Sequence, residues 1–342
     1  MPTTLDSIID ALEGQAPADL PAFGRAFLSQ VPAEELALRS VSDWAAIVAS
    51  NRDFADVRLP GQASIRVFNP APEAGVANSH GVVQIVNDDM SFLVDSVAMA
   101  LSKHGIASYG IVHPVFAVRR DGAGKLLAVG EGSPESLIHI DTDRLVGDAQ
   151  ADAVHASIAA ALADVRAAYG DWERMRDRMA AIADDLSSRT MPASDQTRAE
   201  AQDFLRWAAD NHFTFLGYRE YKVLPHGDSR ALTAVPGSGL GIMRGKDETA
   251  QPRPLAGLAA SDLPPGATLD PLILTKTNSR STVHRPGYMD YIGVLSFDEA
   301  GRAIAARIPG ARFMAIDSPN HLLMEEEPGW AKFLAAAREF LA

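Results

Sequence analysis

Apolar positions recur at helical spacing through the first fifty residues: Leu5, Ile8, Ile9 and Leu12, then Phe23 and Phe27, then Trp44, Ile47 and Val48. Steps of three and four place such residues on one face of a helix, so this stretch reads as short helices. Pro17, Pro21 and Pro32 punctuate them, because an interior proline forfeits a backbone hydrogen bond. From residue 64 the pattern becomes mixed. Residues 64–68 and 82–86 are short β-branched runs and read as strands. Asn87, Asp88 and Asp89 form a turn and cap signal, and Phe92, Val97, Met99, Ala100 and Leu101 predict a helix reaching about His104, ended by Gly105. Residues 111–118 read as a strand, Asp121-Gly122-Ala123-Gly124 as a hairpin turn, 126–129 as its partner and 137–140 as a further strand. Such an order predicts an α+β sandwich, with helices on one face of an antiparallel sheet.

Between residues 151 and 186 a continuous apolar stripe runs through Ile158, Leu162, Val165, Tyr169, Trp172, Met175, Met179, Ile182 and Leu186. It predicts a long helix, with Gly170 as a point where it would kink. Two readings of the stripe stand: a helix lying on its own sheet and extending as a linker, or a surface for self-association. A polar linker follows at 187–197. A second mixed unit then opens with a helix carrying Ala201, Phe204, Leu205 and Ala208 on one face, and continues into a strand over 213–221. Gly237-Ser238-Gly239-Leu240-Gly241 is a tight turn, 251–271 a Pro/Gly-rich loop, and strands are expected at 272–275 and 291–296.

Composition narrows the function. The 342 residues are 47% hydrophobic and 22% charged, as in ordinary globular domains, with a formal charge of −13 spread along the chain. That charge argues against DNA, RNA or anionic membranes as partners. The absence of cysteine removes disulfides, thiolate metal sites and cysteine nucleophiles. The first fifteen residues carry Asp6, Asp10 and Glu13 but no Lys or Arg, so they do not read as a signal peptide, and no apolar run is long enough to span a membrane. A cytoplasmic location is expected.

Three places hold candidate chemistry. Asn87, Asp88 and Asp89 stand where a strand meets a helix; they read either as helix caps or as groups gripping the ammonium and carboxylate of an amino acid. No further acid is spaced to complete a metal site there. Lys276, Arg280 and Arg285 follow one another without an intervening acid and, with His284, read either as an anion pocket or as a solvated or domain-contacting loop. His113, His139 and His212 sit beside apolar residues and read as core histidines; their spacing makes no zinc site. No G-x-G-x-x-G follows a strand, and the glycines at 237–241 have the wrong spacing, so no catalytic or dinucleotide-binding residue is identified.

Four longer segments occur in order: Ile85-Val86-Asn87-Asp88-Asp89-Met90-Ser91-Phe92-Leu93-Val94-Asp95-Ser96-Val97; Glu135-Ser136-Leu137-Ile138-His139-Ile140; Phe204-Leu205-Arg206-Trp207 with His212-Phe213-Thr214-Phe215-Leu216-Gly217-Tyr218-Arg219; and Leu274-Thr275-Lys276-Thr277-Asn278-Ser279-Arg280-Ser281-Thr282-Val283-His284-Arg285-Pro286-Gly287-Tyr288. Over about residues 1–300 the chain thereby resembles the amino-terminal region of the large bacterial NAD-specific glutamate dehydrogenases. Ser91 stands where that family usually has proline. The resemblance implies a helical segment at 1–60, an ACT-like βαββαβ domain at 61–188 and a truncated PAS-like α+β unit at 195–300. It also implies an amino-acid site at the strand-to-helix turn formed by Asn87, Asp88, Asp89, Met90 and Ser91. NAD and glutamate would be handled by a catalytic domain further along the parent enzyme, so this stretch is expected to bind no cofactor, to be inactive by itself, and to self-associate or contact other dehydrogenase domains. Residues 301–342 resemble instead the end of an α/β-hydrolase: a helix, a last strand at 313–316, a loop bearing His321, and a closing helix. No G-x-S-x-G accompanies His321, so it is expected to be an inactive remnant.

Overall fold

The computed structural model describes residues 3–71, 80–188, 193–226, 229–246, 253–254, 270–297, 303–308 and 312–313. The chain divides into two compact units, residues 1–166 with 282–285, and residues 167–281 with 286–342. Most of the loop expected at 251–271, the strand expected at 313–316, His321 and the closing helix lie outside the described residues.

The first unit begins with α1 (Leu5–Leu12), α2 (Leu20–Phe27), α3 (Ala33–Leu36) and α4 (Val41–Phe54). Thr4 and Ser40 cap α1 and α4 with reciprocal side-chain bonds, satisfying amides that a helix start leaves open. Strands β1 (Ser64–Phe68) and β2 (Gly81–Asp88), helix α5 (Leu93–Lys103), strands β3 (Ser108–Val112), β4 (Val115–Arg120), β5 (Leu126–Val129) and β6 (Ser133–Thr142), and helix α6 (Gly147–Ser188) follow. The sheet is antiparallel in the order β1-β2-β6-β4-β5, with β3 also on β6. Phe23, Phe27, Trp44 and Ile47 from the helical segment share one core with Val86, Val118 and Leu137 of the sheet. The helical segment is thus one layer of this unit rather than a separate piece. Because alternate strand residues face opposite ways, Val83, Ile85, Ile138 and Ile140 bury on the other face, with α5 and the first half of α6.

Two expectations are corrected here. The βαββαβ order requires a strand after the second helix; the edge beside β2 is filled instead by β1, which precedes it, while the α+β class and ACT-like layering hold. The single strand expected at 111–118 is two strands, β3 and β4, parted at His113 and Pro114 and pairing in succession with β6. Proline supplies no N–H to a ladder, so the pairing breaks there.

Helix α6 runs 42 residues without interruption, so Gly170 does not break it. Ile158, Leu162 and Val165 are buried in the first unit, Met175, Met179, Ile182 and Leu186 in the second, whereas Tyr169 between them is 53% exposed. The stripe therefore lies mainly on intramolecular cores.

In the second unit α7 (Asp195–Trp207) ends in a π-helical turn, Ala208–His212, where Asn211 adopts a positive φ. Strands β7 (Thr214–Phe215), β8 (Gly217–His226), β9 (Ser229–Ala234), β10 (Leu240–Gly241), β11 (Arg253–Pro254), β12 (Leu272–Arg280), β13 (Tyr288–Phe297), β14 (Ala303–Ile308) and β15 (Arg312–Phe313) make an antiparallel sheet. Its core joins Met175, Met179 and Ile182 to Leu205, Phe213, Tyr218, Ile292 and Val294. The stretch expected to open the hydrolase-like tail as a helix is instead β14, paired with β13 on one side and β8 on the other. Ladder pairing on both sides overrides the helical leaning of its alanines.

Phe27 is fully buried, with Phe23 stacked at 5.9 Å and the His139 ring at 6.4 Å. Phe27→Ala should lower the stability of the first unit by about 3–5 kcal/mol, measured as a shift in its denaturant midpoint; an unchanged midpoint would mean that the helical layer is not part of that core.

Candidate functional site

The end of β2 carries a dense cluster of polar side chains. Register places Asp88 opposite Glu135 at the start of β6. Arg58, in the segment leading to β1, donates from Nη2 to Asp88 Oδ1 at 2.8 Å and to Glu135 Oε1 at 2.7 Å. Arg120, at the end of β4, grips both oxygens of Glu135, at 2.8 and 2.9 Å, and donates from Nη1 to the carbonyls of Ala55 and Gly124. From α6, Arg166 donates to Asp88 Oδ2 at 2.5 Å and to Asn87 Oδ1. The Gly61 amide adds a third donor to Asp88, at 3.0 Å. Arg58, Arg120 and Glu135 are almost wholly buried.

Burial opposes the charge on Glu135, but the hydrogen bonds and charges of Arg120 and Arg58 outweigh it and hold its pKa below the usual carboxylate range. Asp88 behaves alike: burial works against ionisation, and Arg166 and Arg58 overcome it. The three guanidiniums exceed the two carboxylates by one positive charge. Two buried donors are left over, Arg58 Nε and Asn87 Nδ2. Asn87 is fully buried, and its Oδ1 is turned to α6 by Arg166, so its amide lies on the face covered by the helices.

Beyond this cluster the chain turns into α5. Asp89 and Ser91 are exposed and Met90 is half-buried. The N-cap of α5 is Phe92, at φ 71°, with no side-chain cap. The reading of Asn87, Asp88 and Asp89 as helix caps is thus corrected: Asn87 and Asp88 complete a strand and bind arginines, and the helix begins four residues after Asp89. Asp88, saturated by three donors, is closed to an ammonium group, whereas the exposed carboxylate of Asp89 is open to one. The first-turn amides of an uncapped helix, with the positive end of its dipole, favour a carboxylate. The turn can therefore meet a zwitterion with both signs of charge.

The second cluster is dispersed. Lys276 pairs with Asp290, its register partner on β13, at 2.6 Å, and Arg280 stacks over the Tyr288 ring at 5.4 Å. Arg285 is exposed. His284 belongs to the first unit, where its ring lies 4.5 Å from that of Phe92. The four residues do not converge on one anion pocket. His284 instead joins the turn that follows Asn87, Asp88, Asp89, Met90 and Ser91.

The histidines take structural partners. His113 Nε2 meets Ser136 Oγ at 2.6 Å, and burial lowers its pKa. Asn51 Nδ2 donates to the Ile47 carbonyl and reaches His139 Nδ1 at 3.1 Å, which makes Nδ1 the acceptor. His212 stacks on Trp207. In the second unit the glycine-rich turn is held by Asp171, which accepts from the Gly241 amide at 2.8 Å and from Arg244. Gly241 has φ +57°, and a Cβ there would come within 2.2 Å of the Leu216 carbonyl oxygen. Among the described residues no group of three acidic or histidine side chains is placed to hold a metal, and no helix is long and apolar enough to cross a membrane.

Sequence reasoning missed Arg58, Arg120 and Arg166. Their partners lie far away in the chain, and the one local sign was a charged residue ending or opening an apolar strand, as Arg120 and Glu135 do.

An antiparallel sheet with α5 and α6, in which an inner strand, β2, turns into α5, defines an ACT-like domain. Residues 23–158 match the family model of the glutamate dehydrogenase ACT1 domain. The chain is similar to NAD-specific glutamate dehydrogenases. It is 31% identical over 307 residues to the NAD-specific glutamate dehydrogenase of Halomonas elongata, and 30% identical over 309 residues to that of Pseudomonas aeruginosa, each alignment covering 86% of this chain. The Mycobacterium tuberculosis enzyme is 28% identical over 197 residues, 55% of this chain. The chain spans only 19%, 18% and 12% of these three relatives.

Glu135→Gln leaves Arg58 and Arg120 buried without their shared countercharge and should cost about 3 kcal/mol. Because the folded pKa values of Glu135 and Asp88 are depressed, their contribution is complete above the unfolded carboxylate range, about 4, and fades as pH falls through the folded values. Denaturant titrations from pH 7 to pH 3 should show a shallower acid loss in Glu135→Gln than in wild type; parallel curves would remove the ion cluster as a source of stability.

Proposed function

We propose that this chain is a regulatory and assembly segment of an NAD-specific glutamate dehydrogenase, and that the β2–α5 turn of its first unit binds an amino acid. The observation that carries the reading is the uncapped start of α5 together with the buried, unpartnered Asn87 Nδ2 at the end of the preceding strand, where the side chains carry one positive charge in excess. A ligand carboxylate completes the hydrogen bonding of the first-turn amides and of Asn87. Its ammonium faces Asp89. Arg166, bridging Asn87 and Asp88, ties the ligand turn to α6.

The parent reaction in this reading is oxidation of L-glutamate by NAD to 2-oxoglutarate and ammonia, carried by residues outside this stretch. The cytoplasmic setting and contact with further dehydrogenase domains, or with another copy, belong to the same proposal. An inactive α/β-hydrolase fusion is the weaker reading, since 303–308 pairs as an inner strand of the second unit.

A ligand of the native state must raise the unfolding temperature. Titration with the twenty L-amino acids should raise the melting temperature of the first unit for one or a few of them, and Asn87→Ala should abolish the rise. The purified chain should reduce no NAD with glutamate. A panel without any shift would overturn the ligand reading, and NAD reduction would overturn the assignment of catalysis elsewhere.

A further inference from the structure

Among the described residues three other than glycine have positive φ: Phe92, Asn211 and His284. Two of the three touch each other. Bulky side chains rarely adopt this conformation, and such strain persists where surrounding contacts hold it. The loop bearing His284 closes on itself through Ser281 N–H to the Gly287 carbonyl at 2.8 Å and Arg285 N–H to the Val283 carbonyl at 2.9 Å. Its tip is anchored in the first unit. Thr282 Oγ1 donates to Asp164 of α6 at 2.7 Å, and Val283 is 1% exposed. His284 N–H donates to Ser96 Oγ at 3.2 Å, its Nδ1 lies 3.3 Å from Asp95 Oδ2, and its ring covers Phe92.

Phe92, Asp95 and Ser96 are the N-cap and part of the first turn of α5. We infer that the 282–285 loop is a latch on the amino-acid turn, whose docking and the binding of an amino-acid carboxylate at the α5 start exclude one another. This rests on the reading under Proposed function and adds its regulation. The His284 ring lies 4.5 Å from that of Phe92, the N-cap past which a carboxylate would approach the amides of Leu93 to Asp95. Such a carboxylate also brings a negative charge beside Asp95, in competition with the pairing of that residue to His284. The ligand must therefore release the loop.

When a binding-competent state is only fractionally populated, the apparent affinity falls by that fraction. His284→Gly removes the ring and relieves the positive φ, and Asp95→Asn removes the carboxylate that lies 3.3 Å from His284 Nδ1 while keeping the side-chain shape. Calorimetric titration of the full chain with the twenty L-amino acids should show binding tightened about five- to tenfold in His284→Gly, and by a smaller factor in Asp95→Asn. Hydrogen exchange followed by mass spectrometry should find the 281–285 amides protected in wild type and exposed on addition of the ligand, while 90–96 become more protected. Equal affinities in wild type and both variants would overturn the latch and leave the amino-acid site standing. So would ligand-induced protection of 281–285, which describes a lid closing over the ligand. Free exchange of 281–285 in wild type would overturn it without any ligand. Absence of amino-acid binding in wild type and both variants would remove the site and the latch together.

Discussion

The buried carboxylate of Glu135, shared between Arg58 and Arg120, is the interaction on which the first unit most depends. Three segments distant in sequence meet there: the stretch before β1, the end of β4 and the start of β6. An ion cluster out of water is costly unless every charge is hydrogen-bonded, and this one nearly achieves that through the carbonyls of Ala55, Gly124 and Gln62. Arg58 also reaches Asp88, and Arg166 carries the connection to α6. The turn between β2 and α5 is therefore suspended from a rigid polar frame. Its own residues are left nearly free of structural duty, and that is the arrangement a binding turn needs.

Much of the architecture was legible from periodicity. The helical spacing of Leu5 to Val48, the β-branched runs flanking Asn87 and the stripe along α6 all report burial on one face, which local sequence encodes directly. What escaped was long-range. No residue between Lys276 and Arg285 is acidic, yet β12–β13 register sets Asp290 against Lys276. The alanines of 303–308 favour a helix until pairing on both flanks makes them a strand. Asp88 looked available for a ligand because neither arginine that claims it is near it in the chain. A phenylalanine N-cap with positive φ has no sequence signature, since its conformation is imposed by what surrounds it.

The β2–α5 turn and the His284 loop are separated by almost two hundred residues, and nothing in the sequence connects them. Their meeting at Phe92 changes what each can do. In the proposed reading the turn gains a competitor for its ligand, and the loop gains a function that an exposed basic hairpin would not have. The dispersal of Lys276 and Arg280 to Asp290 and Tyr288 removes the anion pocket while leaving the loop tip in place.

The most direct test of this account is a two-dimensional NMR titration of the isotopically labelled chain with the amino acid that best raises its melting temperature. The account predicts the largest shifts at the backbone amides of residues 89–96 and at the Asn87 side-chain amide. Shifts confined to the second unit, or a saturating ligand that leaves those amides unmoved, would contradict it.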